Sequence, residues 1–357
     1  MDERRTGSAE HPDDRARERH RKLPTSTRAR TAVLAFMVAA LLVSRDVQGC
    51  ACGCSVFDVG AGQLMPWDTP SGFSLYFRYS YMNQNQNWEG TSKAPASDNA
   101  DKEIRTRFYT FGATYQIDRS WAVMAELPVY DRSFTSTDDG TVFGPAGSIY
   151  TSNITDLGDF ELLALYTGLA PDMSTGFGLG VKLPTGNYTG PVGPLGGAAY
   201  DRDTLPGTGS TDYVLSAYHV GGLNKDGSLA YFVHAKFQYA FLTRNAYRPG
   251  NELDLAAGVY WTSGSSANSA RFVPSFEVIG SLRGRDSGAN ANPENTGFKR
   301  ILVAPGLEIR FSKVRLYADV EFPVCQDVNA ASSPDAVGTA GQLVASVLFK
   351  ALISYGF

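Results

Sequence analysis

The sequence predicts an all-β fold, an up-and-down antiparallel β-barrel of about 12 strands made to cross a membrane, and three observations predict it. The first is the end of the chain. There Leu343, Ala345, Val347, Phe349, Ala351, Ile353, Tyr355 and Phe357 form a wholly apolar face against the mixed set Val344, Ser346, Leu348, Lys350, Leu352, Ser354 and Gly356. Period-two alternation marks a strand whose two faces meet different surroundings. The second is a regular succession of short and long connections between such strands. The third is that no stretch reaches the roughly 18 continuous apolar residues of a membrane-spanning helix. An amphipathic edge strand of a soluble sandwich is the competing reading, but a soluble protein has no reason to segregate its loop lengths.

The elements follow in order. Thr31 to Ser44 is a mainly apolar run of about fourteen residues behind Arg28 and Arg30, too short for a span of roughly twenty and suited to a secretory signal. Val47 and Gly49 are small enough for cleavage, so residues 1–49 read as leader and signal peptide, with Cys50 as the first mature residue. A start codon downstream of Met1 and a signal anchor with a cytoplasmic tail are the other readings of this long, charged leader. It holds ten Lys/Arg and seven Asp/Glu of the chain's 32 and 36, which leaves 22 against 29 and a net charge of −7. An acidic chain without a basic stripe argues against a nucleic-acid partner. Residues 50–70 show little alternation and read as an N-terminal segment, either a periplasmic tether or a plug of the lumen.

Over residues 71–357 the alternation marks strands near 71–83, 104–117, 120–131, 157–169, 175–187, 211–222, 228–241, 252–263, 270–282, 299–311, 314–325 and 342–357. Brief turns fall at Asp118-Arg119-Ser120, Pro171-Asp172, Asn224 to Gly227, Ser263 to Ser269, and Ser312-Lys313. Longer polar stretches fall between them, at 84–103, 132–156, 188–210, 242–251, 283–298 and 326–341. In bacterial outer-membrane barrels short turns face the periplasm and long loops face outward, so both termini are expected to be periplasmic and the chain to reside in the outer membrane.

Charge keeps to one face of the clearest strands. Leu229, Tyr231, Val233, Ala235, Phe237, Tyr239 and Phe241 oppose Phe232, His234, Lys236 and Gln238; Val314, Leu316, Ala318, Val320, Phe322 and Val324 oppose Arg315, Tyr317, Asp319 and Glu321. A Lys or Arg on the lipid face costs roughly 2–4 kcal/mol at the midplane, which assigns the charged face to the lumen. The expected lumen-lining residues are Arg78, Lys182, Lys236, Arg271, Arg310, Arg315 and Lys350, with Glu126, Glu161, Glu252, Asp254, Glu277, Glu308, Asp319 and Glu321. His234 joins them as a hydrogen-bonding residue. Near-equal numbers of both signs predict a cross-linked wall and a constricted passage; a filled interior whose charges only satisfy one another is the alternative. Trp121, Tyr130, Tyr260, Trp261 and Tyr355 are expected at the membrane interfaces. Strand 211–222 shows little contrast between Asp212, Val214, Ser216 and Tyr218 and the set Tyr213, Leu215, Ala217 and His219, and is placed by its neighbours.

Three stretches carry a likeness to a known family: Asp156-Leu157-Gly158-Asp159, Gly178 to Gly186 (GLGVKLPTG), and Gly207-Thr208-Gly209-Ser210. Over about residues 104–260 the chain resembles the outer-membrane proteins of the MetA pathway of phenol degradation, transport barrels for hydrophobic or aromatic compounds. The resemblance implies uptake or efflux of an apolar small molecule. Lys182 is the one expected lumen charge inside a matching stretch. Physically, the glycines let neighbouring strands approach, and Pro184-Thr185-Gly186 ends a strand at the outer rim. Phe357 resembles the terminal assembly signal of outer-membrane barrels, which implies the barrel assembly machinery as a partner beside the lipid bilayer and a small-molecule solute.

Cys50, Cys52 and Cys54 stand at alternate positions, where they fit a soft metal such as copper(I) or zinc, a disulfide, or lipidation of Cys50. No other cofactor is expected. Cys325 lies a barrel height of some 25–30 Å from a periplasmic N-terminus, beyond the roughly 7 Å Cα limit of a disulfide unless residues 50–70 thread the lumen. No enzyme is expected, because an outer-membrane hydrolase needs an activated Ser beside a His, and His219 and His234 lie in no such motif. The sequence thus points to a channel or transporter for small, hydrophobic or aromatic molecules, acting by passive diffusion through a constricted lumen. The alternative is a non-conducting scaffold whose cysteine segment binds metal or docks a periplasmic electron-transfer or efflux protein.

Overall fold

The computed structural model describes Gly60 and residues 72–138, 144–189, 202–263, 270–331 and 340–357. The leader, Cys50, Cys52, Cys54 and the rest of segment 50–70 apart from Gly60 lie outside the described residues. The strands are β1 (Gly72–Glu89), β2 (Ser92–Lys93), β3 (Asp101–Gln116), β4 (Trp121–Thr137), β5 (Ile149–Leu157), β6 (Phe160–Tyr166), β7 (Thr175–Leu183), β8 (Thr211–Gly222), β9 (Leu229–Leu242), β10 (Glu252–Trp261), β11 (Arg271–Arg283), β12 (Phe298–Phe311), β13 (Val314–Val328) and β14 (Gln342–Gly356). Paired strands are antiparallel, and β14 returns to pair with β1, Ser74 opposite Gly356, so the sheet closes. β2 is a two-residue flap on β1, while β5 and β6 both lie on β4 and share one course of the wall. The described strands therefore make twelve staves, and closure leaves no sheet edge through the membrane.

The break between β5 and β6 has a local cause. Pro128 on β4 has no N–H to give the ladder, and the chain opposite turns at Gly158, whose N–H bonds the Pro128 carbonyl at 2.8 Å. Asp159 then points into the lumen, buried. Two hairpins also exceed the expected strands: β1 runs on to Glu89, and β4 to Thr137 with β5 paired against it, where loops 84–103 and 132–156 were expected. Polar residues dominate these extensions, as in Asn83 to Asn87 and the Thr135–Thr151 hydroxyl pair at 2.9 Å, and apolar Phe134 turns inward against Ile104, Leu343 and Tyr150, so no apolar outer row marks them in the sequence. Ladder hydrogen bonds, β-branched threonines and that inward apolar cluster hold them.

Elsewhere the two faces separate as expected, except at the start of β14, where register shifts against β1 turn Leu343 and Ala345 inward and leave Ser346 exposed, against the expected outward row. Phe111, Leu179, Phe276, Leu316 and Ile353 are exposed on the outer wall, while Thr110, Glu277, Asp319 and Lys350 on the same strands are buried inside. β8, ambiguous in sequence, turns Asp212, Val214 and Tyr218 inward and Tyr213 and Leu215 outward. Tyr130 and Tyr260 correct the aromatic expectation: sharing parity with Glu126 and Asp254, they lie in the lumen, whereas Trp121, Trp261 and Tyr355 remain on the outside. The chain end is stapled by rings, Phe357 lying 5.6 Å from Phe73 and 5.0 Å from Tyr355. At the short-turn rim, Ser228 donates its N–H and hydroxyl to Asp226 and holds that carboxyl below the usual carboxylate range.

Candidate functional site

The three motif stretches, far apart in sequence, meet at one node on the lumen wall. Asp159 follows the Pro128 break, Lys182 is the penultimate residue of β7, and Asp212 opens β8 directly opposite it. The Lys182 ammonium lies 3.0 Å from Asp159 Oδ2 and 3.0 Å from Asp212 Oδ2, and it donates to the Thr208 hydroxyl as well. Asp159 also accepts N–H bonds from Gly186 at 3.0 Å and Thr208 at 2.9 Å, and Gln238 Nε2 donates to Asp212 at 2.7 Å. All three ionic side chains are buried, so the charges are tolerable only because each is paired and hydrogen-bonded. The glycines make the node possible. A Cβ at Gly186 would lie 2.8 Å from the Gly158 carbonyl carbon and 2.8 Å from Gly207 Cα, closer than side-chain-bearing residues approach. Three backbones therefore touch where β7 has ended.

Through this contact the chain after Arg202 is drawn into the barrel. Arg132 on β4, fully buried, donates to the Thr204 carbonyl. The Arg202 guanidinium lies 4.2 Å from the centre of the Tyr247 ring and 5.6 Å from that of Tyr188. Burial pulls Arg202 below its ordinary pKa, against the pull of Tyr247 and Asp159, though a guanidinium stays charged. Tyr247 in turn donates to Asp286 at 2.5 Å, and burial reinforced by that carboxylate lifts its phenol well above the ordinary value. Asp286 also meets Arg283 at 2.9 Å.

Beneath these loops lies a cavity of about 150 Å³. Its wall carries Arg78, Glu126, Glu161, Lys182, Lys236, Glu252 and Asp254, its aromatic side is Phe108 and Tyr130, and Leu205, Pro206, Tyr247 and Pro249 roof it. Arg78 lies 3.4 Å from Glu126, which also accepts from Tyr76, and Lys236 lies 2.9 Å from Glu161. Asp254 accepts from Ser281. Pairs of opposite sign thus brace the wall over intervening strands, Arg78–Glu126 joining β1 to β4 across β3 and Lys236–Glu161 joining β9 to β6 across β7 and β8.

The remaining expected residues sit nearer the short-turn rim or on other staves. Lys350 lies 2.7 Å from Glu321 and 3.9 Å from Asp319, and the Tyr317 hydroxyl lies 2.8 Å from both Glu277 and Asp319. Gly60 is buried against the Glu277 carboxylate, with no room for a Cβ. Arg310 pairs with Glu308, next to Arg271 and Arg315 at the mouth. His234 faces inward opposite Tyr218 and Ala256. Cys325 is exposed on the outer wall, so its thiol points away from the lumen.

Sequence reasoning omitted Asp159, Asp212, Arg132, Arg202 and Tyr247 from the lumen set. Asp159 and Thr208 stood inside the quoted motifs and could have been found there; Arg202 and Tyr247 lie in loops, where periodicity is silent.

No family model matches the chain, and no curated protein matches its sequence. Among solved structures it is similar to the COG4313 outer membrane channel from Pseudomonas putida F1, with a TM-score of 0.57 at 11% identity over 84% of this chain and 99% of that one. A Pseudomonas aeruginosa FadL homologue (TM-score 0.40, 10% identity, 81% and 91% covered) and the CymD monoaromatic hydrocarbon channel (0.39, 10%, 82% and 90%) overlap too loosely to add to this. With an apolar outer band, a charged lumen and that likeness, the chain has the fold of a bacterial outer-membrane β-barrel.

Proposed function

We propose that this barrel is an outer-membrane channel that passes small molecules by diffusion through a constricted lumen. The observation that carries the proposal is the cavity: a closed membrane wall encloses it, and paired charges of both signs brace it. Such bracing narrows a passage without giving the wall one sign. The aromatic side, Phe108 and Tyr130 with ring centres 5.0 Å apart, supports hydrophobic or aromatic solutes, as does the resemblance of the motif stretches to the MetA-pathway family. The short-turn rim is read as periplasmic, with both termini there and the Phe357 strand addressed to the assembly machinery.

Gly60 beside Glu277 supports a plug rather than a tether for residues 50–70. The refolded barrel should give small single-channel steps in planar bilayers, and removing residues 50–70 should enlarge them. Unchanged steps would restore the tether. No steps, and no solute flux in liposome swelling, would overturn the channel.

A further inference from the structure

Among the described residues, two carboxylate oxygens on the lining of the cavity beneath the long loops meet no hydrogen-bond donor. Glu161 is buried and accepts from Lys236 at Oε2 over 2.9 Å, while its Oε1 is left open. Glu252 Oε1, on β10, is buried and equally unmet, and among the described residues Glu252 forms no hydrogen bond or ion pair. The cations that the ladder brings near it are turned elsewhere. Arg283, directly opposite on β11, holds Asp286 at 2.9 Å, and Lys236 on β9 holds Glu161. Buried polar atoms are nearly always hydrogen-bonded, so two acceptors left open on one lining mark a place for a donor, and a charged donor suits a carboxylate best. Phe108 and Tyr130 line the same cavity, and aromatic faces favour a cation as well as an apolar group. Arg202, whose Nε lacks an acceptor there, lies instead against the Tyr247 ring at 4.2 Å.

We propose that this cavity is an amine site, which takes a small solute made of a protonated amino group and one aromatic ring. The ammonium donates to Glu252 and Glu161, and the ring lies against Phe108 and Tyr130. A volume of about 150 Å³ is the size that holds a single benzene-sized ring. An ammonium also supplies Glu252 with the counter-charge that the wall does not place within pairing distance. The proposal gives the channel a solute class and rests on the channel reading for the solute's route only.

The test uses the full-length barrel refolded in detergent at neutral pH and constant ionic strength, with three probes of one shape: benzylamine, benzyl alcohol and benzoate. Calorimetry against empty micelles should find benzylamine bound at least about tenfold more tightly than benzyl alcohol, the gain expected from charged hydrogen bonds. Benzoate should bind weakest. Glu252→Gln should bring benzylamine down towards benzyl alcohol and leave the alcohol unchanged, whereas Phe108→Leu should weaken both alike. The ranking of the three probes on the wild type decides the matter if the glutamine variant fails to refold. A wild type that binds the alcohol as tightly as the amine overturns the proposal. So does one that prefers benzoate, which would assign the cavity to Arg202, and so does a Glu252→Gln barrel that keeps the full preference for the amine. Binding is read without conduction. A barrel that ranks the probes as expected but gives no single-channel steps and no flux sinks only the channel reading, and one that conducts without that ranking sinks only the amine site.

Discussion

Lys182 and Arg271 face the same lumen in opposite electrostatic company. Lys182 sits between two buried carboxylates from the strands on either side of β7, Asp159 just before β6 and Asp212 on β8, and an inward-drawn loop adds the Thr208 hydroxyl. Arg271 has another arginine as its cross-strand neighbour and is exposed at the mouth. Buried pairs of both signs thus hold the wall together, whereas at the short-turn mouth Arg271 and Arg315 each face Arg310 across the strands. The difference teaches where to look for structure and where for recognition. A saturated buried pair is architecture, while an exposed side chain opposite a like charge adds little to the wall.

That contrast can be broken most sharply at its strongest point. Lys182→Met should strand Asp159 and Asp212 as uncompensated buried carboxylates and destabilise the barrel by about 3–5 kcal/mol, measured by urea unfolding in lipid. A loss below about 1 kcal/mol would mean that the node is solvated and differs little from the mouth. Gly207→Val comes next. Its side chain must push into Gly186, so a loss of about 1–3 kcal/mol is expected, together with larger single-channel steps as the loop leaves the lumen.

Tyr247→Phe is the mildest, at about 1 kcal/mol, because Asp286 keeps Arg283 and the Gly250 N–H as partners. Its pH signature has a definite sign. Tyr247 is held above its ordinary pKa, so its contribution is complete below about pH 10, the unfolded value, and is lost only as pH rises through the higher folded value. Wild type and Tyr247→Phe should therefore converge in stability at strongly alkaline pH and not at acid pH. Convergence on acidification would assign the bond to Asp286 alone.

Much of the wall was legible because a membrane barrel writes its burial in a period of two. Lys350, Asp319, Glu277 and Glu126 all fall inside on parity alone. The misses share a cause. Asp212 lay in a strand with tyrosines on both faces, so neither face looked apolar. The β4–β5 extension carries Asp131, Ser133 and Thr135 on its outward face, so its inward Phe134 and Ile154 had no apolar outer row to set them off. Tyr130 and Tyr260 looked like interface residues, since an aromatic near a strand end suits either wall and only its parity relative to a buried carboxylate separates the two.

By itself, then, the sequence determined the barrel: its stave count, its alternation of short and long connections, and which face of most strands carries charge. Each of these follows from local chain chemistry, because lipid penalises a charge wherever it occurs along a strand. The partners were decided by tertiary structure alone. That Lys182 meets Asp159 and Asp212, that Gly158, Gly186 and Gly207 touch, and that three arginines align across β11, β12 and β13 depend on register, and register is a relation between strands that no single strand encodes.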